Sequence, residues 1–385
     1  MLQVYHVGHF DPELPNGVDR VIHNLGRLLE GDVGFHVVGF GEPDPDAHLV
    51  RLDGRVRIHG FGRPGLRNFR LPRGFRRWLG GLSGEPVLHL HSVFAPLNFA
   101  IAAECRRAGV PYVFTPHDSY VPASLRTRAL AKRLYLATLE RRVLDGAAVL
   151  HALTAEGRDC IARHTANRRI HLVRNFIPLP PVPPCPAEER CGMLYLGRMD
   201  RYQKGIDRLL AAYAALRRER PAAPILTLAG PADRVERPAL DALMAEHGLT
   251  EAAVIRRDRV GEAEKHRLLA GSRLYVQLSR FEGFGLSVAE ALALSVPVVV
   301  SREIPLAPLV ERHGAGLVVD GDDAAPGLIR ALDAGPAAYA AMVEGARRLY
   351  RAELSADSIR PRMLGLYHEA AAAGRAARLP LPQPG

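Results

Sequence analysis

Two runs of alternating strand and helix patterns, separated by a proline-rich segment, constrain the fold of this sequence most strongly. In the first run, short stretches rich in branched and aromatic residues predict strands at 2–8, 35–40, 87–91 and 112–117. Helical patterns lie between them, such as 18–29, where the apolar residues fall on one face. Because strand–helix alternation builds right-handed βαβ units, we expect a parallel sheet.

The same alternation resumes after the proline-rich segment. Six of the eleven residues 176–186 are prolines, which neither continue a helix nor donate ladder hydrogen bonds, so we expect a stiff connector there. The second run therefore predicts a second α/β domain, and ligands of such sheets bind at the carboxyl ends of the strands. Its strand patterns lie at 193–197, 225–230, 253–257, 274–279 and 296–301.

The composition is that of a folded globular protein. With 385 residues, of which 48% are hydrophobic and 24% charged, the chain is long enough for two separate cores. No stretch approaches the roughly 18 consecutive apolar residues of a membrane span, and the start lacks a secretory pattern. We therefore expect a cytoplasmic protein. The four cysteines have no metal-ligand spacing, so we expect no metal.

Basic residues outnumber acidic ones, and lysine is rare among them. The formal net charge of +10 suits an anionic partner such as a nucleotide phosphate. No nucleic-acid recognition motif accompanies this charge, so we expect no nucleic-acid partner. Of 51 basic residues only three are lysines, namely Lys132, Lys204 and Lys265.

The strand pattern at 193–197 runs into a loop with two cations. Arg198 follows the strand directly, and Lys204 lies just before Gly205 and the next helical pattern. An arginine binds two oxygens at once and a lysine supplies a mobile point charge, a combination that suits a diphosphate. The alternative is that both are solvated loop charges, and spacing alone does not decide between the two.

The stretch SRFEGFGLSVAEALAL at 279–294 places two carboxylates around a Gly-Phe-Gly turn. The two glycines let a ligand approach the backbone, and the helix expected after them directs free N–H groups at an anion. Glu282 and Glu290 would then hold different parts of one polyhydroxylated ligand. Alternatively, Ser287 and Glu290 form a Ser-x-x-Glu capping box, and Glu282 is an exposed loop carboxylate.

Together these motifs resemble the signature of the retaining GT-B glycosyltransferases of family 4, the group 1 glycosyltransferases. The resemblance extends over nearly the whole chain and includes LPNGVDRVIHNL at 14–25, YVFTPHD at 112–118 and HLVRN at 171–175. It implies an α/β GT-B fold, in which two Rossmann-like domains face a central interdomain cleft. The organisation expected is an acceptor-side domain at 1–177, a linker at 178–186, a nucleotide-sugar domain at 187–354, a helix at 355–376 that crosses back to the first domain, and a flexible tail at 377–385.

The resemblance implies roles for the matching positions of the second domain. Arg198 and Lys204 would neutralise the departing nucleotide diphosphate. Glu282 would contact the transferred sugar, and Glu290 would hold the ribose hydroxyls. Backbone N–H groups would bind sugar hydroxyls or phosphate at Gly283, Phe284, Gly285 and Leu286.

In the first domain the resemblance implies a loop and a histidine. Gly17, preceded by Asn16, would let the loop close over the diphosphate, and His117 would contact the sugar near the reacting carbon. The sequence departs from the family pattern at Asn16, where a second glycine is common, and at Ser295, where a glycine commonly follows the helix. These departures concern the identity of the sugar more than the reaction.

The activity implied is transfer of a hexose from a UDP- or GDP-linked sugar to an acceptor hydroxyl with retention, in cell-surface glycan or glycolipid biosynthesis. No cofactor or metal is expected, and the acceptor would be a glycan or a lipid-linked sugar. An epimerase or hydrolase of the same fold is an alternative, because it would bind the diphosphate with the same residues. A non-catalytic two-domain sugar-binding protein is a further alternative, although it needs an export signal.

One basic and aromatic stretch bears on the acceptor. Residues 62–81 interleave six arginines with Phe69, Leu71, Phe75 and Trp78. Such a stretch is suited to an anionic membrane surface at the inner face of the membrane, or to a lipid-linked acceptor. A mobile solvated loop is the alternative.

Overall fold

The computed structural model describes residues 1–8, 17–117, 120, 129–183 and 185–378. The chain divides into two compact units. One takes Met1–Phe176 and the chain from Ile359 onward, and the other takes Ile177–Ser358. Each unit contains a sheet flanked by helices, so the predicted α/β class with two Rossmann-like sheets is confirmed.

The first unit is built on an eight-stranded sheet. Its strands are β1 (Gln3–Val7), β2 (Gly34–Glu42), β3 (His48–Asp53), β4 (Val56–Gly62), β5 (Pro86–His91), β6 (Tyr112–Thr115), β7 (Val149–Ala152) and β8 (Ile170–Leu172). They lie in the order β3-β4-β2-β1-β5-β6-β7-β8. The helices are α1 (Gly17–Leu28), α2 (Arg73–Gly80), α3 (Pro96–Ala108), α4 (Ala129–Tyr135), α5 (Arg141–Gly146) and α6 (Ala155–Ala162).

The four strands predicted for this unit are confirmed as β1, β2, β5 and β6. The expectation of a purely parallel sheet is wrong at one edge, where β3 pairs antiparallel with β4. All six residues of β3 are exposed, so this strand lacks the apolar run by which buried strands are recognised. A two-residue connection at 54–55 joins the two strands, which is enough for an antiparallel hairpin.

The second unit contains a six-stranded sheet whose strands are all parallel. The strands are β9 (Cys191–Leu196), β10 (Leu226–Ala229), β11 (Val254–Arg257), β12 (Ser272–Gln277), β13 (Val298–Ser301) and β14 (Gly316–Val319), in the order β11-β10-β9-β12-β13-β14. The helices are α7 (Ile206–Glu219), α8 (Glu236–Glu246), α9 (Glu262–Gly271), α10 (Leu286–Ala293), α11 (Ala307–His313), α12 (Ala325–Leu332) and α13 (Pro336–Glu353). The five predicted strands are confirmed, and β14 is additional.

The C-terminal helix, α14, spans Ala356–Arg378 and confirms the helical pattern seen after residue 355. From Ile359 its residues belong to the first unit, where the Tyr367 side chain is fully buried. None of the helices in the part of the chain that the structure describes combines the length and the apolar character needed to span a bilayer.

Gly205 sets the position of the loop that precedes α7. Its backbone has a φ of +64°, and a Cβ atom there would lie 2.1 Å from the carbonyl oxygen of Leu278. Only glycine tolerates this approach, since any side chain would overlap the end of β12. The residue next to it, Lys204, is therefore held against the loop that follows β12.

The basic stretch 62–81 is a helix over part of its length. Helix α2 buries Phe75 and Leu79 in the core of the first unit, and Trp78 packs on Phe61 with ring centroids 5.1 Å apart. These apolar side chains are therefore core residues, contrary to the expectation that they interleave with arginines on a surface. Leu66 and Phe69 remain exposed.

A buried carboxyl group in the first unit predicts how stability changes with pH. Glu140 is 1% exposed and accepts hydrogen bonds from the Tyr120 hydroxyl at 2.7 Å and from the Phe94 N–H. Burial raises the pKa of Glu140 to about 7, although both hydrogen bonds lower it. Since an unfolded glutamate titrates near 4.3, the folded state holds this proton over a pH range where the unfolded state has lost it.

We predict that Glu140→Gln removes this pH dependence. The stabilising contribution of the protonated group is complete below pH ~4 and is lost as the pH rises to ~7, so the wild type should lose about 3 kcal/mol relative to the variant between pH 4 and 8. Urea unfolding of both proteins across this range measures the difference.

Glu104→Gln is the control with the opposite sign. Burial alone would raise the pKa of Glu104, but Arg107 and Arg76 hold it below its usual value. This variant should therefore lose stability relative to the wild type as the pH rises from 3 to 6. Equal slopes for wild type and Glu140→Gln would show that Glu140 is not protonated in the folded protein at neutral pH.

Candidate active site

Two loops of the second unit meet at the carboxyl ends of neighbouring strands. Strands β9 and β12 pair directly in the sheet. The loop after β9 carries Arg198 and Lys204, and the loop after β12 carries Glu282. The side chains that were predicted from separate motifs therefore lie at one edge of one sheet, where open parallel sheets bind their ligands.

Lys204 and Glu282 form a largely buried ion pair. The Lys204 ammonium nitrogen lies 2.7 Å from Oε1 and 2.8 Å from Oε2 of the carboxylate, and the two side chains are 18% and 7% exposed. Oε1 also accepts from Gln277 Nε2 at 2.6 Å and from Ser279 Oγ at 2.8 Å. Glu282 is thus a buried carboxylate that accepts several hydrogen bonds. The interpretation of Glu282 as an exposed loop carboxylate is wrong.

Gln277 orients the polar groups around this pair. Its amide nitrogen donates to Glu282 and to Ser279. Its amide oxygen accepts from the Tyr275 hydroxyl at 2.8 Å and from Ser287 Oγ at 2.9 Å. Every polar atom of the amide is used, so the donor side of Gln277 faces the Glu282 carboxylate.

The capping box at Ser287 is not formed. The N-cap residue of α10 is Gly285, with a φ of +89°, and it makes no side-chain cap. Ser287 lies in the first turn, where its hydroxyl is directed to Gln277. Ser287 and Glu290 are therefore not a reciprocal capping pair, and the predicted capping role of Glu290 is excluded.

Glu290 has a buried lysine as its partner instead. Lys265 Nζ lies 2.9 Å from Glu290 Oε1 and 2.9 Å from Glu262 Oε2, and the Lys265 side chain is 6% exposed. Lys265 is one of the three lysines in the sequence, and no role was predicted for it. The rarity of lysine in this sequence was the signal that could have indicated a role for Lys265, because both lysines of the second unit are partners of the two predicted carboxylates.

Arg280 links the two loops through hydrogen bonds and an ion pair. Its backbone N–H donates to the Gln203 carbonyl at 2.9 Å. Its guanidinium donates to both carboxylate oxygens of Asp207, each at 2.8 Å, and to the Tyr202 carbonyl at 3.0 Å. A bidentate arginine–carboxylate pair fixes orientation as well as distance, so the loop of Lys204 is positioned relative to that of Glu282.

The remaining predicted residues of the second unit lie on the same two loops. The Arg198 side chain is 63% exposed and donates to Gln203 at 3.1 Å. Phe284 is buried, with 5% exposure, and Gly285 begins α10. Gly283 and Leu286 are partly buried, and α10 directs the N–H groups of its first turn toward this edge of the sheet.

A pocket of about 390 Å³ lies along the edge strand β11 and reaches the residues that follow β9 and β10. Met199 and Gly230 line one part of it. Glu251 and the residues from Val254 to Asp258 line a second part, and Ala232, Arg237 and Leu240 complete the lining. The pocket therefore combines apolar and charged side chains, and one of its lining residues, Met199, directly follows Arg198 in the sequence.

Three predicted residues belong to the first unit. His117 follows β6 and has a φ of +56°, a left-handed conformation that is uncommon for residues other than glycine and costs roughly 1–3 kcal/mol. Its Nε2 lies 3.1 Å from Nδ1 of His91. Gly17 begins α1, and Asn16 lies outside the described residues.

Two family descriptions match the chain in the order in which its halves occur. Residues 16–175 match the description "Glycosyl transferase 4-like domain". Residues 190–334 match the description "Glycosyl transferases group 1". The second match contains both loops and both carboxylates of the site described above.

Curated relatives and a solved structure agree with these matches. A GDP-mannose:cellobiosyl-diphosphopolyprenol alpha-mannosyltransferase of Xanthomonas campestris is 24% identical over 337 residues, which are 84% of each chain. The O-antigen chain mannosyltransferase B of Escherichia coli is 35% identical over 132 residues, or 34% of this chain and 33% of the relative. A sucrose-phosphate synthase from Thermosynechococcus elongatus shares the fold, with a TM-score of 0.75 and 22% identity over 97% of this chain and 100% of that one. The chain belongs to the group 1 glycosyltransferases, the family-4-like glycosyltransferases with a GT-B fold.

Proposed function

We propose that the chain is a retaining mannosyltransferase that moves mannose from GDP-mannose to a hydroxyl of a lipid-linked glycan. The names of two relatives support this proposal, since one includes GDP-mannose and a diphosphopolyprenol acceptor and the other the O-antigen chain. The setting is then the biosynthesis of a cell-surface polysaccharide. The observation that carries the mechanism is the buried pair of Lys204 and Glu282.

Lys204 binds Glu282 and a diphosphate at the same time. An ammonium group has three N–H donors, and two of them are directed at the two oxygens of Glu282. The third is available for a diphosphate oxygen, beside the exposed guanidinium of Arg198. Two fixed cations stabilise the charge that develops on a departing diphosphate, which is the main catalytic contribution in this reaction. In this proposal they do so without a metal ion.

Glu282 offers one oxygen to the sugar. Oε1 already accepts from Lys204, Gln277 and Ser279. Oε2 accepts from Lys204 at 2.8 Å, which leaves a lone pair for a sugar hydroxyl. Because the same ammonium contacts both oxygens, the sugar and the diphosphate are held in a fixed relation to each other.

The reaction proposed needs no protein nucleophile. The bond between the sugar C1 and the diphosphate oxygen breaks while the acceptor oxygen bonds to C1 from the same face. The acceptor proton passes to the departing phosphate oxygen, so the anomeric configuration is retained. His117 is proposed to contact the sugar near C1, and Gly17 to let its loop close over the diphosphate. The two carboxylates bind, and neither acts as an acid or a base.

Glu290 is proposed to hold the ribose hydroxyls, with Lys265 as its positioning partner. A buried carboxylate needs a compensating charge, since one left alone in the interior costs several kcal/mol. Lys265 supplies that charge to Glu290 Oε1 at 2.9 Å. The ribose hydroxyls would therefore meet a carboxylate whose orientation is fixed before they bind.

We predict that Lys204→Met lowers kcat/KM for transfer by about 100-fold or more, because it removes a fixed cation from the diphosphate and leaves Glu282 without its partner. Lys132→Met, which removes a lysine of the first unit, is the matched control and should keep near-normal activity. Transfer is measured by mass spectrometry of the glycosylated acceptor, with and without EDTA.

Three results would contradict this assignment. Activity of Lys204→Met within a few-fold of the wild type would remove Lys204 from the site. Loss of wild-type transfer in EDTA would mean that the cations do not replace a metal. Donor consumption as free sugar or an isomer, without a glycosylated acceptor, would favour hydrolysis or epimerisation.

The pocket lined by Asp258 is proposed to hold the guanine base. Guanine presents an N1–H and an amino group on one edge, and both donate to a single carboxylate, whereas uracil presents one N–H. Asp258 lines the pocket, and its Oδ2 is held by Arg237 at 2.9 Å. A carboxylate oriented in this way favours a GDP-linked donor over a UDP-linked one.

We predict that the wild type binds GDP more tightly than IDP, which lacks the amino group, by about tenfold, and UDP still more weakly. Asp258→Ala should abolish the difference between GDP and IDP. Glu251→Ala removes the other carboxylate that lines the pocket and should preserve that difference. Calorimetric titrations measure these affinities. Equal affinity of the wild type for GDP and IDP would exclude Asp258 from base recognition.

The loop before α2 is proposed to rest on an anionic membrane surface, where a lipid-linked acceptor is presented. Arg67 and Arg70 are exposed, together with Leu66 at 75% and Phe69 at 43%. Arg76 and Arg77 instead make ion pairs within the first unit. The proposed contact is therefore narrower than the predicted stretch 62–81.

We predict that reversing Arg67 and Arg70 to glutamate weakens binding to vesicles of phosphatidylglycerol and phosphatidylcholine by about tenfold or more, since each surface arginine contributes about 1 kcal/mol. The same reversal at Arg347 and Arg351, two exposed arginines of α13, is the control and should have a small effect. Vesicle sedimentation measures the binding. An equal effect of both double variants would indicate attraction by net charge alone.

A further inference from the structure

One edge of the eight-stranded sheet is exposed along a whole strand. Strand β3 lies at the end of the strand order, next to β4, and all six of its residues, His48–Asp53, are exposed. Alternate residues of an edge strand direct N–H and C=O groups away from the sheet, where they can pair with another strand. β3 therefore offers a row of hydrogen-bonding groups at the surface of the first unit.

The other sheet edges that the structure describes are shorter and partly buried. At the opposite edge of the same sheet, β8 has three residues, all half-buried, and one of them, His171, pairs with Glu369 of α14 at 2.8 Å. The edge strands of the second unit, β11 and β14, have four residues each, and each contains a buried residue. Short length and partial cover protect an edge strand from further pairing, and β3 has neither.

β3 also lacks the residues that commonly block an edge. Its sequence, HLVRLD, contains no proline and no lysine, and its register with β4 runs from His48 to Asp53 without a bulge. Prolines, lysines and bulges are the features by which edge strands avoid pairing. Half of the strand is instead large and apolar, with Leu49 43%, Val50 53% and Leu52 71% exposed. Such a strand favours association.

Symmetry limits the ways in which two copies of β3 can pair. Two identical strands continue one sheet in antiparallel order when a two-fold axis perpendicular to the sheet relates them. Residues that face each other then point to the same side of the sheet, so the axis passes through a residue and not between two. For β3 the axis can therefore lie at Val50, at Arg51 or at Leu52.

The charges of β3 favour the axis at Leu52. In that register Leu52 of one copy faces Leu52 of the other, and Arg51 of each copy faces Asp53 of the other, which makes two ion pairs. With the axis at Arg51, two arginines would face each other, and like charges directly opposite are destabilising. With the axis at Val50, neither Arg51 nor Asp53 faces a charge of opposite sign.

Both charged side chains are accessible to a second copy. The Arg51 side chain is 73% exposed, and its guanidinium lies 3.7 Å from Glu42, an exposed ion pair of the kind that contributes little stability. Asp53 is exposed. Because side chains alternate along a strand, Arg51 and Asp53 point to one face and Leu52 to the other. The junction therefore has ion pairs on one face and two leucines in contact on the other.

We propose that β3 is a self-association surface, at which two copies of this chain join their first-unit sheets edge to edge, antiparallel, with the two-fold axis at Leu52. This surface contains no residue of the candidate active site, so its role does not depend on the function proposed above. One pair of six-residue strands is small compared with the roughly 1,200 Å² that a stable interface buries. We therefore expect a reversible dimer and not a permanent one.

The test is the molar mass of the full-length protein, measured by light scattering at increasing micromolar concentration. We expect the mass of one chain at low concentration and twice that mass at high concentration. Arg51→Glu places two carboxylates opposite each other at both ion pairs, and Asp53→Arg places two guanidinium groups there. Each variant should therefore weaken the dimer by about tenfold or more.

An equimolar mixture of the two variants should restore the dimer. In the mixture each glutamate introduced at position 51 faces an introduced arginine, and the remaining Asp53 faces the remaining Arg51. Arg51→Glu also removes the contact with Glu42 within one copy, but mixing leaves that change in place, so restoration excludes it as the cause. Arg351→Glu makes the same change of charge at an exposed residue of α13 and should dimerise like the wild type.

Disulfide crosslinking tests the register without a change of charge. The axis at Leu52 places the Cβ atoms of the two Leu52 residues about 5 Å apart, close to disulfide distance. The two Val50 residues are then offset by four positions, or about 14 Å along the strands. Leu52→Cys should form a covalent dimer in mild oxidant and Val50→Cys should not, with the wild type as the background for the native cysteines.

The proposal is overturned by a protein that remains monomeric at every concentration. A dimer that both charge variants leave unchanged, or that their mixture fails to restore, would also overturn it, as would crosslinking at Val50 in place of Leu52. Growth into larger assemblies would overturn it too, because a two-fold junction closes after two copies.

Discussion

The ion pair between Lys204 and Glu282 is the interaction on which the second unit's candidate site depends. A buried ion pair is stable only if further hydrogen bonds satisfy the lone pairs and N–H groups that the pair itself leaves open. Here Gln277 and Ser279 donate such hydrogen bonds to Glu282. The pair also requires its loops to approach closely. Gly205 makes that approach possible, because no side chain fits between its backbone and the Leu278 carbonyl. The ion pair therefore depends on the close approach of the two loops, and Gly205 permits that approach.

The use of lysine in this arginine-rich chain follows from geometry. A compact ammonium fits against both oxygens of one carboxylate and still has a third donor, whereas a guanidinium is larger and its remaining N–H groups point only within its plane. The second lysine of this unit, Lys265, instead contacts one oxygen of Glu290 and one oxygen of Glu262.

The sequence was sufficient to predict the elements that are long, apolar and regularly spaced, and the motifs at strand ends. It was not sufficient to predict features that depend on contacts formed only in the folded structure. Strand β3 is exposed on all its residues and has no apolar run to recognise. The capping box at Ser287 fits the spacing, but the hydroxyl has a better partner in Gln277, which no local pattern reveals. The histidines of β1 and β5 become neighbours only through the register of the sheet, which pairs His6 with His89.

In the proposed mechanism Lys204 contacts the diphosphate while it remains paired with Glu282, which in turn binds the sugar. A crystal structure of the protein with an unhydrolysable GDP-sugar measures this directly. We expect Lys204 Nζ to lie within hydrogen-bond distance of a diphosphate oxygen and of Glu282, with a sugar hydroxyl donating to Glu282 Oε2. A diphosphate bound away from an unchanged Lys204–Glu282 pair would contradict it.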